Sequence, residues 1–388
     1  MDKFADIRPY HDHEVAPIIQ KIIADEEFVN AISDFKLNYL PEFIRPIFHP
    51  LLRYVLRRQT KGVDSVAEFQ ERVRVYFEHM VATTTDGFTV SGLEKLDLQK
   101  SYLYVGNHRD ITLDPAFVNY ARLLHGCRKT VRIAVGDNLL SKEFISDLIR
   151  VNKSFVVKRS ERAPRKLLEN LKVLSEYIAH SLFEDNECVW IAQREGRAKD
   201  GVDRSDPAII KMFAINGRKQ GFANYIRSLN IIPVSISYEY DPCALLKARE
   251  LYALAETGKY VKSKYEDITS IATGISGYKG HVHLSFGDPL PEGLESPDDV
   301  AQWLDRQIID LYVLHPTNYF AYYRVYGKYP EGGVYSDKHL PFMPEKLSGE
   351  KKKFDAHIDS MPEECRSYAL NAYANPIVSK IEFGFWKP

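Results

Sequence analysis

Apolar residues at steps of three and four dominate the first eighty positions. From Val63 to Met80, residues Val66, Phe69, Val73, Phe77 and Met80 mark one side of a helix, with Glu68, Glu71 and Arg72 among the polar positions. Residues 13–25 and 41–57 repeat the period over shorter runs. The run Thr83-Thr84-Thr85-Asp86-Gly87 interrupts it. A boundary is expected there, with residues 1–85 forming a helical N-terminal region. Short apolar runs then alternate with amphipathic segments. Strands are expected at 102–105, 131–135, 155–157, 188–192, 231–238 and 282–286, and helices near 115–125, 139–150, 164–183, 207–218 and 243–257. In the 164–183 helix, Pro164 suits the first turn and Leu167, Leu171, Leu174, Ile178 and Leu182 form the buried stripe.

That alternation predicts an α/β fold over residues 86–290, with a mixed, mostly parallel sheet flanked by helices behind the helical N-terminal extension. Residues 291–296 read as a linker and 297–314 as one more helix. The rest of segment 291–388 is rich in Tyr, Pro and Lys and is expected to be irregular, with the lysine run near 348–353 solvated. Composition agrees with a folded chain: 45% of the 388 residues are apolar and 12% aromatic. A formal net charge of −1 gives no general attraction for nucleic acid, so no nucleic-acid partner is expected. Four cysteines (Cys127, Cys188, Cys243 and Cys365) match neither a zinc pattern nor a disulfide framework, which favours a reducing compartment. No apolar run reaches the length of a membrane span, and the first fourteen residues lack the apolar core of a signal peptide.

The densest polar constellation, Gly106-Asn107-His108-Arg109-Asp110-Ile111-Thr112-Leu113-Asp114, follows the first of the expected strands. In α/β sheets ligands bind outside the carboxyl ends of strands. A histidine there, with Asp110 or Asp114 to fix its tautomer, suits a general base; a plain turn with a capping Asp is the bland alternative. A second strand runs into Lys158, Arg159 and Ser160, whose guanidinium is shaped for a phosphate. A third runs into Gln193-Arg194-Glu195-Gly196-Arg197-Ala198-Lys199. There Gly196 permits close backbone approach, and Arg197 and Lys199 supply charge. The fourth is the apolar run 231–238 with Pro233 near its start, followed by Glu239. Each of these alone also fits an ordinary strand end.

The four blocks in this order resemble the glycerolipid acyltransferases, the family of glycerol-3-phosphate and lysophosphatidate acyltransferases. The resemblance runs over about residues 86–240: Asn107-His108, then Phe155-Val156-Val157-Lys158-Arg159-Ser160, then Glu195-Gly196-Arg197, then Ile232-Pro233-Val234. Tyr238-Glu239 looks closer to the glycerol-3-phosphate branch. The family places its Asp after four intervening residues. Here that position is Leu113, and Asp114 follows after five. Asp114 is preferred because Leu113-Asp114-Pro115 leads into a helix as the family's block does, with Asp110 as the other choice.

The resemblance implies direct acyl transfer from a thioester, acyl-CoA or acyl-carrier protein, to an anionic lipid or glycerol-phosphate acceptor. His108 is then the base. Lys158, Arg159, Glu195, Gly196, Arg197 and Lys199 line the acceptor's place. No cofactor and no metal are required, and the implied location is peripheral, on the cytoplasmic face of a membrane. Two rivals stand: a non-catalytic lipid-binding protein on the same fold, and a metal-dependent hydrolase using His108, Asp110 and Asp114. His108-Arg109-Asp110 also invites a protein-kinase reading, but the position five residues after Asp110 is Pro115, where kinases need Asn. The pairs His11/His13 and His281/His283 read as surface or strand histidines.

Overall fold

The computed structural model describes every residue except Met1, Asn38, Ser141, Arg162, Lys264, Lys387 and Pro388. Four helices come first: α1 (Asp12–Ala24), α2 (Glu26–Lys36), α3 (His49–Gln59) and α4 (Val66–Thr84). Strand β1 (Thr85–Ser91) follows directly. Strands and helices then alternate through β2 (Leu103–Gly106), α5 (Leu113–Leu124), β3 (Arg132–Gly136), α6 (Glu143–Val151), β4 (Ser154–Val157), α7 (Pro164–Phe183) and β5 (Val189–Ala192). Helices α8 (Pro207–Ala214) and α9 (Phe222–Ser228) lead to β6 (Ile231–Tyr238), and α10 (Ala244–Thr257) and α11 (Glu266–Ser276) lead to β7 (Gly280–Phe286). Last come α12 (Pro297–Leu311), α13 (Pro316–Tyr326), the two-residue strands β8 (Val334–Tyr335) and β9 (Leu340–Pro341), α14 (Ser348–Asp359) and α15 (Glu363–Glu382).

The fold is α/β, with a mixed, mostly parallel sheet, flanking helices and a helical N-terminal region. The chain forms two compact units, Met1–His79 with Arg132–Tyr177, and Met80–Val131 with Ile178–Pro388. These units cut across the segments 1–85, 86–290 and 291–388. In the first unit β3 and β4 pair in parallel. Val15, Ile19, Ile23, Val63 and Val151 make an apolar cluster that joins α1 to α6. In the second unit five strands lie in the order β1-β7-β6-β2-β5. β2 runs parallel to both β5 and β6, β1 parallel to β7, and β6 antiparallel to β7. Strands β2, β5 and β6 are buried at every position; β2 and β5 read as unbroken apolar runs rather than as alternation, and β6 also buries Ser235 and Ser237.

The helical period does end in the Thr-rich run at 83–87: Thr84 and Thr85 hydroxyls donate back to Met80 and Val81 carbonyls at the end of α4, and β1, which the pattern did not announce, starts there. Two expectations change. The apolar stripe of α4 is only partly covered, since Met80 is buried while Val73 is exposed. Residues 316–382, expected to be irregular, hold three helices. Pro316 to Tyr322 of α13 are all buried, and two helical turns covered on every side carry no amphipathic period for a sequence to display, although the last turn is exposed at Tyr323, Val325 and Tyr326. The lysine run falls inside α14.

Candidate active site

Strand β2 lies between β5 and β6 and ends at Gly106. The chain turns there because Asn107 ties it to β6. Its Nδ2 donates to the Ile236 carbonyl at 3.0 Å, and its Oδ1 accepts from the Ile236 N–H at 2.8 Å. Nδ2 also reaches Asp203 at 3.2 Å. The side chain therefore continues the strand pairing past the last β2 residue. It fixes the point at which His108 leaves the sheet.

His108 and Asp114 are six residues apart, a separation that no single helix turn brings together. They meet because the intervening loop folds over the first turn of α5. Asp114 Oδ2 lies 2.9 Å from His108 Nδ1 and accepts the backbone N–H groups of Arg109 at 2.7 Å and Asp110 at 3.0 Å. Its Oδ1 accepts the Tyr238 hydroxyl at 2.9 Å. Four donors thus hold a carboxylate that is 1% exposed. With Nδ1–H directed at Asp114, the other ring nitrogen, Nε2, is the one that can receive a proton. Nε2 makes no hydrogen bond among the described residues, and the His108 side chain keeps 16% of its surface exposed. The imidazole meets the Trp190 ring edge-on at 5.8 Å between centroids.

Asp110 plays a different part. Its Oδ1 accepts the N–H groups of Thr112 and Leu113, both at 2.9 Å, and so caps the start of α5. It makes no hydrogen bond with His108. Burial, and then the neighbouring Asp114, raise its carboxyl above the usual range. Of the two acids that the sequence leaves open, Asp114 is the one that touches the imidazole.

The loop after β5 belongs to the same unit. Gly196 adopts φ +76°, and the Ala198 N–H donates to the His108 carbonyl at 2.7 Å, which seats residues 195–199 against the histidine loop. The N–H groups of Gly196 and Arg197 have no partner among the described residues. Glu195 and Gly196 are exposed. Arg197 Nη2 contacts the Ser270 hydroxyl at 3.5 Å, while its Nη1 is buried without a partner. Lys199 is ion-paired with Glu250. Lys158 and Arg159 lie in the first unit, past the end of β4. Lys158 pairs with Asp6 at 3.3 Å, and Asp137 Oδ1 accepts the Arg159 N–H at 3.0 Å. A surface hollow of about 490 Å³ there is lined by Lys158 and Lys166 but also by Asp137, Glu161 and Glu169, so its charge is mixed.

Sequence reasoning passed over several groups that build the site. Tyr238 was only a family-like trait, yet it anchors Asp114. Arg109, fully buried, donates to Asp203 at 2.5 Å and lies over the Tyr312 ring at 5.1 Å. Lys247 donates to the Arg109 carbonyl at 2.6 Å and pairs with Asp241. Arg109, Lys199, Lys247 and Tyr238 line a partly open cavity of about 30 Å³, room for about one water. Each of its three cations already has a carboxylate, and the volume is too small for a long acyl chain. Their sequence signal is weak, since a lone Arg or Lys in a helix or loop reads as solvated. For a metal, the His108 set fits poorly: Asp114 spends both oxygens on N–H and O–H donors. Among the described residues, a set with converging ligand atoms is Asp86, Glu239 and His281.

Residues 87–238 match the family model described as Acyltransferase, so this stretch carries an acyltransferase domain. The match includes His108, Asp114, Arg159, the 195–199 loop and Tyr238. No curated protein matches the chain. A solved structure to which it is similar is the 1-acyl-sn-glycerophosphate (LPA) acyltransferase of Thermotoga maritima, with 16% identity over 68% of this chain and 88% of that one, at a TM-score of 0.33. That likeness is too distant to bear on substrate.

Proposed function

We propose that the protein transfers a long-chain acyl group from a thioester, acyl-CoA or acyl-carrier protein, to a hydroxyl of a glycerol-3-phosphate-like or lysophospholipid acceptor, with His108 as general base. The observation that carries this reading is the dyad at the end of β2: an accessible imidazole whose Nδ1 is held at 2.9 Å by a buried, four-donor carboxylate. In the proposed reaction Nε2 takes the acceptor's proton as its oxygen attacks the thioester carbonyl. Asp114 stabilises the imidazolium that forms, and the thiol leaves with a proton returned from it. The tetrahedral oxyanion needs donors that protein has not already engaged. The N–H groups of Gly196 and Arg197 meet that requirement. Arg197, with its unpartnered Nη1, is the best placed cation for an acceptor phosphate in this unit. Lys199 serves only by exchanging Glu250 for the substrate. We assign Lys158, Arg159 and Glu195 to acceptor binding on the family-like pattern of the sequence. No cofactor takes part.

We further propose that the protein works peripherally on the cytoplasmic face of a membrane, where its acyl substrates reside. Among the described residues, no helix is long and apolar enough to cross a membrane. Support comes from α3 and the turn before it. Phe43 is 80% exposed, Ile47 73%, Leu51 58% and Tyr54 62%, beside the exposed Arg57 and Arg58. Large exposed apolar groups interleaved with arginine suit an anionic lipid surface.

The test is thiol release from long-chain acyl-CoA and acyl-carrier protein against a panel of acceptors, wild type beside His108→Ala. Acceptor-dependent release that vanishes in the variant supports the reading and names the acceptor. Lipid binding without turnover, equal in the two proteins, would instead favour a lipid-binding protein on this fold.

A further inference from the structure

A second cluster of ligating side chains lies outside the dyad. Asp86 of β1, His281 of β7 and Glu239, the residue after β6, each offer one ligand atom, and the three atoms lie within 4.8 Å of one another. Glu239 is 7% exposed. It accepts one hydrogen bond, from the His281 N–H at 2.9 Å, and has no ion pair among the described residues. An ionised carboxylate that deep in protein is costly unless a cation compensates it. Gly280 adopts φ +61°, and a Cβ there would lie 2.6 Å from Glu239 Oε2; one on Gly87 would lie 3.2 Å from His281 Nδ1. The space around both ligand atoms is kept clear by residues without side chains. The Tyr278 hydroxyl donates to Asp86 Oδ2, which orients that carboxylate and leaves Oδ1 for a ligand. His283 is not part of the set; it bonds Thr89 and Ser91.

We propose that Asp86, Glu239 and His281 form a binding site for one divalent cation of the zinc class. Two carboxylates and an imidazole suit zinc, whose bonds of about 2.0–2.1 Å place ligand atoms about 3.3 Å apart in a tetrahedron. Asp86 and His281 are exposed and Glu239 is buried, so closing on a cation falls to the two exposed side chains. The cation gives Glu239 its counter-charge and ties the edge strand β1 to the end of β6. Glu239 follows Tyr238, so occupancy holds the end of the strand that carries the Asp114 anchor. Cation binding by these three side chains does not require the acyl-transfer chemistry proposed above.

The experiment is a Zn²⁺ titration of the metal-stripped full-length protein in competition with a chromophoric chelator, with melting followed in parallel. One bound equivalent and a raised melting temperature are expected for wild type. His281→Ala and Asp86→Asn, both at exposed positions, each weaken binding by at least about tenfold, on the scale of losses at metal sites. A variant lacking His11 and His13 keeps full affinity. Circular dichroism checks that each variant is folded. Absence of a bound equivalent, affinity unchanged in either ligand variant, or affinity lost with His11 and His13 overturns the site.

Discussion

Asp114 illustrates how much a single carboxylate depends on groups far from it in sequence. Its partners come from the adjacent loop and from Tyr238, 124 residues on. Removing that hydroxyl leaves Asp114 Oδ1 without its donor, so the carboxylate is held at Oδ2 alone, by His108 and two backbone N–H groups. Tyr238→Phe is expected to lower turnover about tenfold while leaving the fold intact, as loss of an orienting outer partner does. The readout is kcat beside the melting temperature. Asp114→Asn is expected to cost more activity than Asp110→Asn, and Asp110→Asn to act mainly on stability through the cap of α5; the two effects separate in paired rate and urea-unfolding measurements. The sequence supplied His108 and both acids. It left their roles open because six residues of loop can fold in several ways, and only the packed loop aims one acid at the ring.

At the scale of elements, α11 is the piece whose role no pattern announced. Gly274 packs so closely on Asp110 that a Cβ would fall 2.3 Å from its Oδ2. Gly274→Ala is therefore expected to displace the α5 cap, lowering both the unfolding midpoint and activity, whereas Ser276→Ala on the exposed end of α11 changes neither. Equal effects of the two substitutions count against this coupling. The sheet strands β2, β5 and β6 were legible within a residue or two because β2 and β5 are short unbroken apolar runs and β6 is apolar apart from Ser235 and Ser237. The 164–183 helix was legible because its covered face is a stripe. Helices α13 to α15 were not, since side chains such as Thr317, Asn318 and Tyr373 are buried with partners that lie elsewhere in the chain. Strand β1 was hidden because Thr-Thr-Thr-Asp-Gly has the composition of a turn, and its pairing partner β7 lies almost two hundred residues away.

For the molecule as a whole, acidity is the sharpest lever on stability. His315, ordinarily near 6.5, is pushed down to about 3, first by burial and then by His283 and His281. The unfolded chain thus binds a proton that the folded chain refuses. The stability this neutral histidine permits is complete above pH 6.5 and is lost as pH falls from there toward 3. Urea midpoints measured across that range are expected to fall steeply in wild type and less steeply in His315→Asn. At the surface, replacing Phe43, Ile47 and Leu51 by serine is expected to abolish sedimentation with anionic vesicles while leaving the melting temperature unchanged; retained sedimentation would remove α3 as the lipid contact. By itself the sequence determined the α/β class, the places of most strands along the chain, and His108 with two candidate acids, because hydrophobic period and local polar clusters are written in neighbouring positions. The tertiary structure decided that Asp114 and not Asp110 meets His108, that Tyr238 anchors it, that Lys199 is already paired, and that Asp86, Glu239 and His281 converge. Those are encounters between distant segments, fixed by sheet order and loop packing, which a one-dimensional pattern does not record.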